Sequence, residues 1–149
     1  MWLELPKVIM LERDRSELCV RPYPNHPKGC PNFKKKLGCP PNIGLFRETY
    51  KTYTIYNIFP FGEHVRRMET KHPEWSERQC ECCLYWQGTA RKQLKDQIKL
   101  FGQEFSRFVL HMTPEALGVN VTATMEQVGI ILEWPPKEYT YQVALASLI

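Results

Sequence analysis

The sequence lacks an apolar run long enough to cross a bilayer. Its apolar stretches, such as Ile130–Leu132 and the segment Val143–Ile149, which Ser147 interrupts, are short. Both fall far short of the roughly 18 to 20 residues that a membrane-spanning helix needs. The segment Met1–Lys7 contains an acid and a proline where a secretory signal would have a basic start and a long apolar run. We therefore expect a cytoplasmic protein without a membrane partner.

Four common signatures of enzymes are also missing. The chain contains no GxGxxG dinucleotide fingerprint, no GxxxxGKS/T phosphate loop, no GxSxG nucleophile elbow and no HExxH zinc motif. The acidic residues Glu126, Glu133 and Glu138 are scattered and do not suggest a carboxylate pair. The sequence leaves open whether the protein is an enzyme.

The composition is that of an ordinary globular domain. Of the 149 residues, 43% are hydrophobic and 24% are charged, and the net charge is +4. This balance and this length are typical of one folded unit. No internal repeat or low-complexity tract divides the chain. We expect residues 1–149 to form a single domain.

Acidic residues are missing from a long segment near the N-terminus. Between Cys19 and Arg47 there is no Asp or Glu, whereas basic residues and prolines are frequent. Because proline interrupts helices and central strands, residues 19–44 are predicted to form a shaped loop, called the cysteine loop below. The basic residues are Arg21, Lys28, Lys34, Lys35, Lys36 and Arg47, and the prolines are Pro22, Pro24, Pro27, Pro31, Pro40 and Pro41.

Local patterns predict an α+β fold with a mainly antiparallel sheet, one long helix and shorter helices. Tyr50–Phe61 is rich in aromatic and β-branched residues on both faces, which predicts a central strand. A long helix is predicted to begin near Pro73 or at a capping box on Ser76, and to follow apolar residues spaced every three or four positions as far as Phe108. The other predicted elements are a strand at Val8–Leu11, a helical turn from Pro114 ended by Gly118, a helix over Val121–Val128 ended by Gly129, and two strands, Ile130–Trp134 and Tyr139–Leu148, paired as a hairpin.

The cysteines carry the strongest functional signal. Cytoplasmic thiols are kept reduced, so six cysteines are better explained as metal ligands than as disulfide bridges. Cys30 and Cys39 lie in the cysteine loop, where prolines and glycines fix the backbone before a metal binds. With Cys19 upstream and Cys80 and Cys83 downstream, the chain has enough thiolates to form a metal centre. If the predicted long helix is continuous, Cys80 and Cys83 point towards the core and Cys82 lies to one side.

The spacing of these cysteines favours an iron-sulfur cluster, expected as the four-iron (4Fe-4S) type, over zinc. Structural zinc sites prefer Cys-x2-Cys pairs, and only Cys80 and Cys83 have that separation. The eight residues between Cys30 and Cys39 suit a loop around a larger cluster, and cysteine followed by proline recurs in iron-sulfur loops. Zinc remains the alternative cofactor.

Each candidate ligand also has a simpler interpretation. Free cysteine often packs as a small hydrophobe, which we expect for Cys82 and keep as an alternative for Cys80 and Cys83. His26 and His72 are alternative fourth ligands, although a lone histidine is more often a surface or capping residue. A cysteine nucleophile is a further alternative, because basic neighbours favour the thiolate.

Two motifs of the cysteine loop form the basis of a family resemblance. Cys30-Pro31-Asn32-Phe33 followed by Cys39-Pro40-Pro41 resembles the Cys-Pro-Asn-Tyr and Cys-Pro-Pro signature of a family of bacterial and archaeal predicted metal-binding proteins of unassigned function. Pro114–Val121 and Tyr139–Ile149 are similar to later parts of that family. The further cysteines of the family are missing from Phe105–Met112. The resemblance implies metal binding that includes Cys30 and Cys39.

The sequence leads to two functional hypotheses of different classes. In the first, an iron-sulfur cluster transfers electrons, or activates sulfur or a small substrate at an iron without a protein thiolate, and the partner is a redox protein or a larger complex. In the second, zinc stabilises the loop, and Tyr23, Phe33 and Lys34–Lys36 contact nucleic acid through stacking and phosphate attraction. We rank nucleic acid second because the net charge is low and no known binding motif is present.

Overall fold

The computed structural model describes residues 1–22, 26–37, 39–47 and 51–149. Helices and strands are interspersed along the chain, and the strands form one antiparallel sheet, which confirms the predicted α+β class. Among the described helices, none combines the length and the apolar character needed to cross a membrane. The elements are β1 (Trp2–Leu5), α1 (Ser16–Val20), β2 (Thr52–Phe59), α2 (Phe61–Lys71), α3 (Glu77–Cys80), a 3₁₀ turn (Cys83–Tyr85), α4 (Gln87–Glu104), β3 (Phe108–His111), a second 3₁₀ turn (Pro114–Leu117), α5 (Val121–Glu126) and β4 (Thr140–Leu148).

The sheet has four strands in the order β1-β2-β4-β3, and all neighbouring pairs are antiparallel. β2 is central, as its two apolar faces predicted, because it pairs with β1 on one side and with β4 on the other. Tyr50, where this strand was predicted to begin, lies outside the described residues. The last predicted strand is confirmed as β4.

The two faces of the sheet are covered by different parts of the chain. On one face, Ile55 and Ala144 belong to an apolar cluster with α4. Leu145 points to the opposite face, since neighbouring strand residues alternate, and it packs in a second cluster with Phe46 and Leu117. Phe46 directly follows the cysteine loop, and its N–H donates to the Leu117 carbonyl over 2.8 Å. The cysteine loop therefore lies on the side of the sheet opposite α4.

The long helix predicted from Ser76 is interrupted. Its capping box is present, but the helix that follows, α3, ends at Cys80. The chain turns before α4 begins, because Cys82 has an extended backbone and the Trp86 indole donates to the Glu81 carbonyl over 3.1 Å. The continuous helix was thus a wrong prediction, and most of its apolar rhythm belongs to α4 alone.

The predicted C-terminal hairpin was also wrong. Ile130–Trp134 does not form a strand, and β4 pairs instead with β2 and β3. The run is apolar in composition, yet Ile131 and Trp134 are 64% and 72% exposed. A local apolar run therefore indicated a strand at a place where the chain forms an irregular surface segment.

Two strands and two helices, α1 and α2, lie where none was predicted, and α1 includes Cys19, where the loop was predicted to begin. β1 precedes the predicted strand at Val8–Leu11, which contributes only a single bridge between Met10 and Val119. β3 begins at Phe108, the last residue that the helical rhythm had included. α2 had a readable signal, because Phe61 and Val65 have helical spacing, but the preceding strand was extended over its start.

The predicted stop at Gly118 is confirmed, whereas α5 ends at Glu126, before the predicted end at Val128. Gly118 ends the second 3₁₀ turn with φ +83°, and Gly129, with φ +80°, lies beyond the end of α5. Glycine adopts this left-handed conformation without the steric cost that other residues incur. Asn120 caps α5 by accepting a hydrogen bond from the Ala123 N–H over 3.1 Å.

Candidate metal centre

Arg15 anchors the cysteine loop to the rest of the fold. Its guanidinium, one residue before α1, donates to the carbonyls of Ala116 over 2.7 Å, of Gly44 over 3.0 Å and of Ile43. The planar guanidinium presents five donors in a fixed geometry, so it can serve several carbonyls at once. These bonds join the residues before the loop to its far end and to the second 3₁₀ turn.

Gly29 brings Cys30 back to Cys19. The Cys30 N–H donates to the Cys19 carbonyl over 2.6 Å. Gly29 has φ +86°, and a Cβ at this position would overlap the Cys19 carbonyl oxygen and lie 2.7 Å from backbone carbons of Val20. No side chain fits this close approach, and L-residues rarely adopt this φ. The two cysteines are therefore neighbours only because glycine precedes Cys30.

Tight turns fold Cys39 back towards this pair. The Lys34 N–H donates to the Pro40 carbonyl over 3.1 Å, and the Cys39 N–H donates to the Lys36 carbonyl over 3.1 Å. The Asn42 side-chain amide donates to the carbonyls of Lys34 and Lys36 over 3.4 and 3.1 Å. Within the described part of the loop, these bonds replace regular secondary structure as the source of order.

The other two loop thiols act on the ionisation of Cys19. The pKa of Cys19 is raised, first by burial and then by Cys30 and Cys39, while the nearby Arg15 acts in the opposite direction. All three side chains are partly buried. Cys30 and Cys39 therefore lie within electrostatic reach of Cys19. A metal cation among them would reverse this effect, because positive charge favours thiolates.

The surroundings of these thiols are basic and exposed. Lys28 and Lys34–Lys36 are exposed on the described part of the loop, and the segment from Cys19 to Arg47 contains no acid. The Lys34 ammonium lies 5.3 Å from the centre of the Phe33 ring, so a basic and an aromatic residue meet at the surface. This arrangement would attract anions or an acidic protein surface.

The structure does not bring Cys80 to the loop cysteines. Cys80 is fully buried, and its backbone carbonyl interacts with His64 of α2. The His64 ring lies 6.0 Å from the ring of Phe59, which packs with Ala90 of α4. Cys80 therefore belongs to the α4 side of the sheet, and the sheet separates it from Cys19, Cys30 and Cys39.

The other two cysteines of this region also differ from the helical prediction. Cys83 was expected to point to the core but is exposed, because the helix ends before it; Cys82 is partly buried. The pKa of Cys80 is raised by burial and then by Glu69, Glu81 and Glu74. An acidic environment disfavours the thiolate that a metal needs, so Cys80 is better described as a packed core residue than as a metal ligand.

The alternative histidine ligands lie in different places. His26 is within the cysteine loop, and its carbonyl accepts a hydrogen bond from the Gly29 N–H over 3.0 Å. His72 stacks on Trp75 at 3.8 Å between ring centres, and its Nδ1 lies 3.5 Å from Glu74. Only His26 is therefore positioned in the same segment as the three thiols. Tyr23, the other aromatic residue of the nucleic-acid hypothesis, lies outside the described residues.

Comparisons with family models, curated proteins and solved structures find no match for this chain. Within the residues that the structure describes, no three His, Cys, Asp or Glu side chains are grouped closely enough to enclose a metal ion. The chemistry must therefore be argued from the donor set itself. Three thiols on an ordered loop suit soft or borderline metals, which include zinc and the iron of iron-sulfur clusters.

Two residues that shape this region were not identified from the sequence. Gly29 had a signal, since a glycine directly before a candidate ligand often marks a close backbone approach. Arg15 had none, because it lies in the charged run Glu12–Arg15 and its role depends on carbonyls distant in sequence. Local patterns identify ligand types, whereas the groups that position them come from the tertiary fold.

Proposed function

We propose that this protein binds an iron-sulfur cluster of the four-iron type through Cys19, Cys30 and Cys39. The observation that supports the proposal is the hydrogen bond that places Cys30 beside Cys19, with Cys39 near enough to act on the pKa of Cys19. The family resemblance of the two Cys-Pro motifs points in the same direction. Three protein thiolates leave one iron of such a cluster for a ligand from elsewhere.

Electron transfer, or activation of sulfur or a small substrate at the iron without a protein thiolate, is the chemistry that the bound cluster would supply. The chain would contribute the surroundings. Arg15 and Gly29 fix the backbone of the loop, and the exposed Lys34–Lys36 would offset the negative charge of a thiolate-bound cluster. The same basic surface suits an acidic redox partner.

The decisive experiment is metal analysis of serine variants purified without oxygen. Cys19→Ser, Cys30→Ser and Cys39→Ser should each lose most of the iron and most of the broad absorption at about 400 nm that thiolate-bound iron gives. Cys82→Ser and Cys83→Ser are matched controls from the same chain and should retain both. Equal iron content in all five variants would refute the loop site.

Cys80→Ser tests the larger ligand set that the sequence suggested. Because Cys80 lies across the sheet, this variant should keep its iron, although loss of a buried thiol can lower stability. Circular dichroism at the assay temperature separates unfolding from ligand loss. A folded Cys80→Ser protein without iron would show that the site includes Cys80 and that the loop moves to reach it.

A zinc-stabilised module that binds nucleic acid is the second candidate. It is favoured by the exposed lysines beside Phe33 and by the absence of acids from the segment. Replacing Lys34, Lys35 and Lys36 by Gln distinguishes the two proposals. If the lysines serve an iron-sulfur cluster, the triple variant keeps its metal and has a lower reduction potential. If they bind RNA or DNA, the wild-type affinity falls steeply with salt and the variant binds weakly.

A further inference from the structure

A cavity of about 280 Å³ lies between the start of α4 and the irregular segment that precedes β4. Four of its eleven lining residues are aromatic, and Arg91, Glu133 and two glutamines add polar groups. No described residue of the cysteine loop is among those that line it. The aromatic residues of the lining are Trp86, Trp134, Tyr139 and Tyr141.

Trp134 forms one wall and is fixed with its ring uncovered. Its side chain is 72% exposed, yet its indole N–H donates to the Thr122 hydroxyl over 3.0 Å. The preceding residue, Glu133, accepts hydrogen bonds from the backbone N–H groups of Tyr139 over 2.9 Å and of Glu138 over 3.4 Å. A large apolar ring is thus kept in contact with water although its burial would be favourable. The wall is ordered before any ligand binds.

Trp86 also lines the cavity and is similarly constrained. Its indole N–H donates to the Glu81 carbonyl. One side of its ring stacks on Phe59, with 5.4 Å between ring centres and an interplanar angle of 22°. Both tryptophans therefore use their polar atoms within the protein and can offer only flat apolar surface to a ligand. Such surfaces select planar aromatic rings by stacking.

Arg91 provides the charge that remains available in this cavity. It is exposed on α4, and among the described residues it forms no ion pair. Glu133 also lines the cavity, but both of its carboxylate oxygens already accept backbone hydrogen bonds. A guanidinium without a partner binds carboxylate and phosphate groups well because it offers paired donors.

We propose that this cavity binds a small planar aromatic molecule that carries a carboxylate or phosphate group. The ring stacks on Trp134 and the anionic group pairs with Arg91. The volume lies just below the usual range for drug-sized ligands, so one or two fused rings are the appropriate size. This site is independent of the metal centre, and its failure would leave the cluster proposal unchanged.

The test uses three naphthalene probes that differ in one group: 2-naphthoate, 2-naphthyl phosphate and the neutral 2-naphthylmethanol. Titration calorimetry with the complete chain should show saturable binding of both anions, and the tighter of the two identifies the preferred group. Arg91→Gln should weaken anion binding about tenfold and leave the neutral probe unchanged. Lys92→Gln, an exposed neighbour that does not line the cavity, is the control and should change neither.

Two further variants test the stacking wall. Trp134→Leu should lower the affinity of all three probes about tenfold, since it removes the aromatic surface. Trp134→Phe retains a ring and should lose less, which separates stacking from a general disturbance of the segment. The proposal is overturned if no anionic probe saturates, if Lys92→Gln weakens the anions as much as Arg91→Gln does, or if benzyltrimethylammonium binds more tightly than 2-naphthoate.

Discussion

Replacing Gly29 by Ala should open the contact between Cys19 and Cys30. An L-residue at φ +86° costs about 1 to 2 kcal/mol, and the broken hydrogen bond between the two cysteines adds about 1 kcal/mol. The sum of about 2 to 3 kcal/mol corresponds to a factor of about 30 to 150 in the population of the native loop. The steric overlap with the Cys19 carbonyl makes this a lower bound.

Hydrogen exchange of the Cys30 amide measures this population directly. In metal-free protein, Gly29→Ala should accelerate exchange of that amide by about 30- to 150-fold, because its only route to exchange is opening of the contact. The apparent metal affinity should fall by the same factor, since only the native loop presents both thiols to a metal. Competition with a chelator measures that second quantity.

Gly44→Ala is the matched control from the same loop. An added Cβ there meets no atom within 4 Å and the residue has no positive φ, so Ala should be neutral or slightly stabilising through the unfolded state. If the Cys30 amide exchanges at the same rate in Gly29→Ala and Gly44→Ala, and both variants bind metal with the same affinity, then the contact between Cys30 and Cys19 does not organise the site. That result would refute the reasoning.

Three further predictions concern stability. Arg15→Gln should lower the free energy of unfolding in urea by about 2 kcal/mol, because it loses bonds to three carbonyls, whereas Arg13→Gln loses only an exposed ion pair at 3.8 Å and should cost less than about 0.5 kcal/mol. Burial lowers the pKa of His64 below its ordinary value of 6.5. The stability that the neutral His64 contributes is therefore complete above pH 6.5 and is lost as the pH falls through the lowered pKa. His64→Gln should flatten the fall in the free energy of unfolding that is measured below pH 6.5. Gly118→Ala should destabilise more than Gly129→Ala, since both have a positive φ but only the Cβ at Gly118 would lie 2.8 Å from a leucine methyl carbon; equal thermal melting temperatures would contradict this.

Local signals in the sequence predicted the elements whose boundaries are set by local chemistry. β2 was predicted from residues that pack on both faces, and the capping box at Ser76 and the stop at Gly118 were predicted from side chains that act within one turn. The hairpin failed because strand pairing is not local. Thr52 of β2 lies opposite Ser147 of β4, and nothing in either segment encodes that partner.

The candidate site was predictable to a similar degree. A proline-rich segment with two Cys-Pro motifs identified Cys30 and Cys39, and Cys19 was included by its proximity in the chain. Cys80 and Cys83 were included as downstream thiolates with the Cys-x2-Cys separation, on a helix that was predicted to be continuous. The break before α4 and the sheet between the two groups changed that geometry, and neither is readable from cysteine spacing.

The position of β4 has a consequence for how this chain folds. β4 follows the other three described strands in the chain, yet it lies inside the sheet between β2 and β3. Until β4 is available, β2 can pair only with β1, and β3 lacks the one strand that it pairs with among the described residues. Closing pairs as distant as Thr52 and Ser147, 95 residues apart, is slow because the intervening chain must be ordered first. We expect the sheet to assemble only once β4 is available, with β2 and β3 exposed to other chains until then.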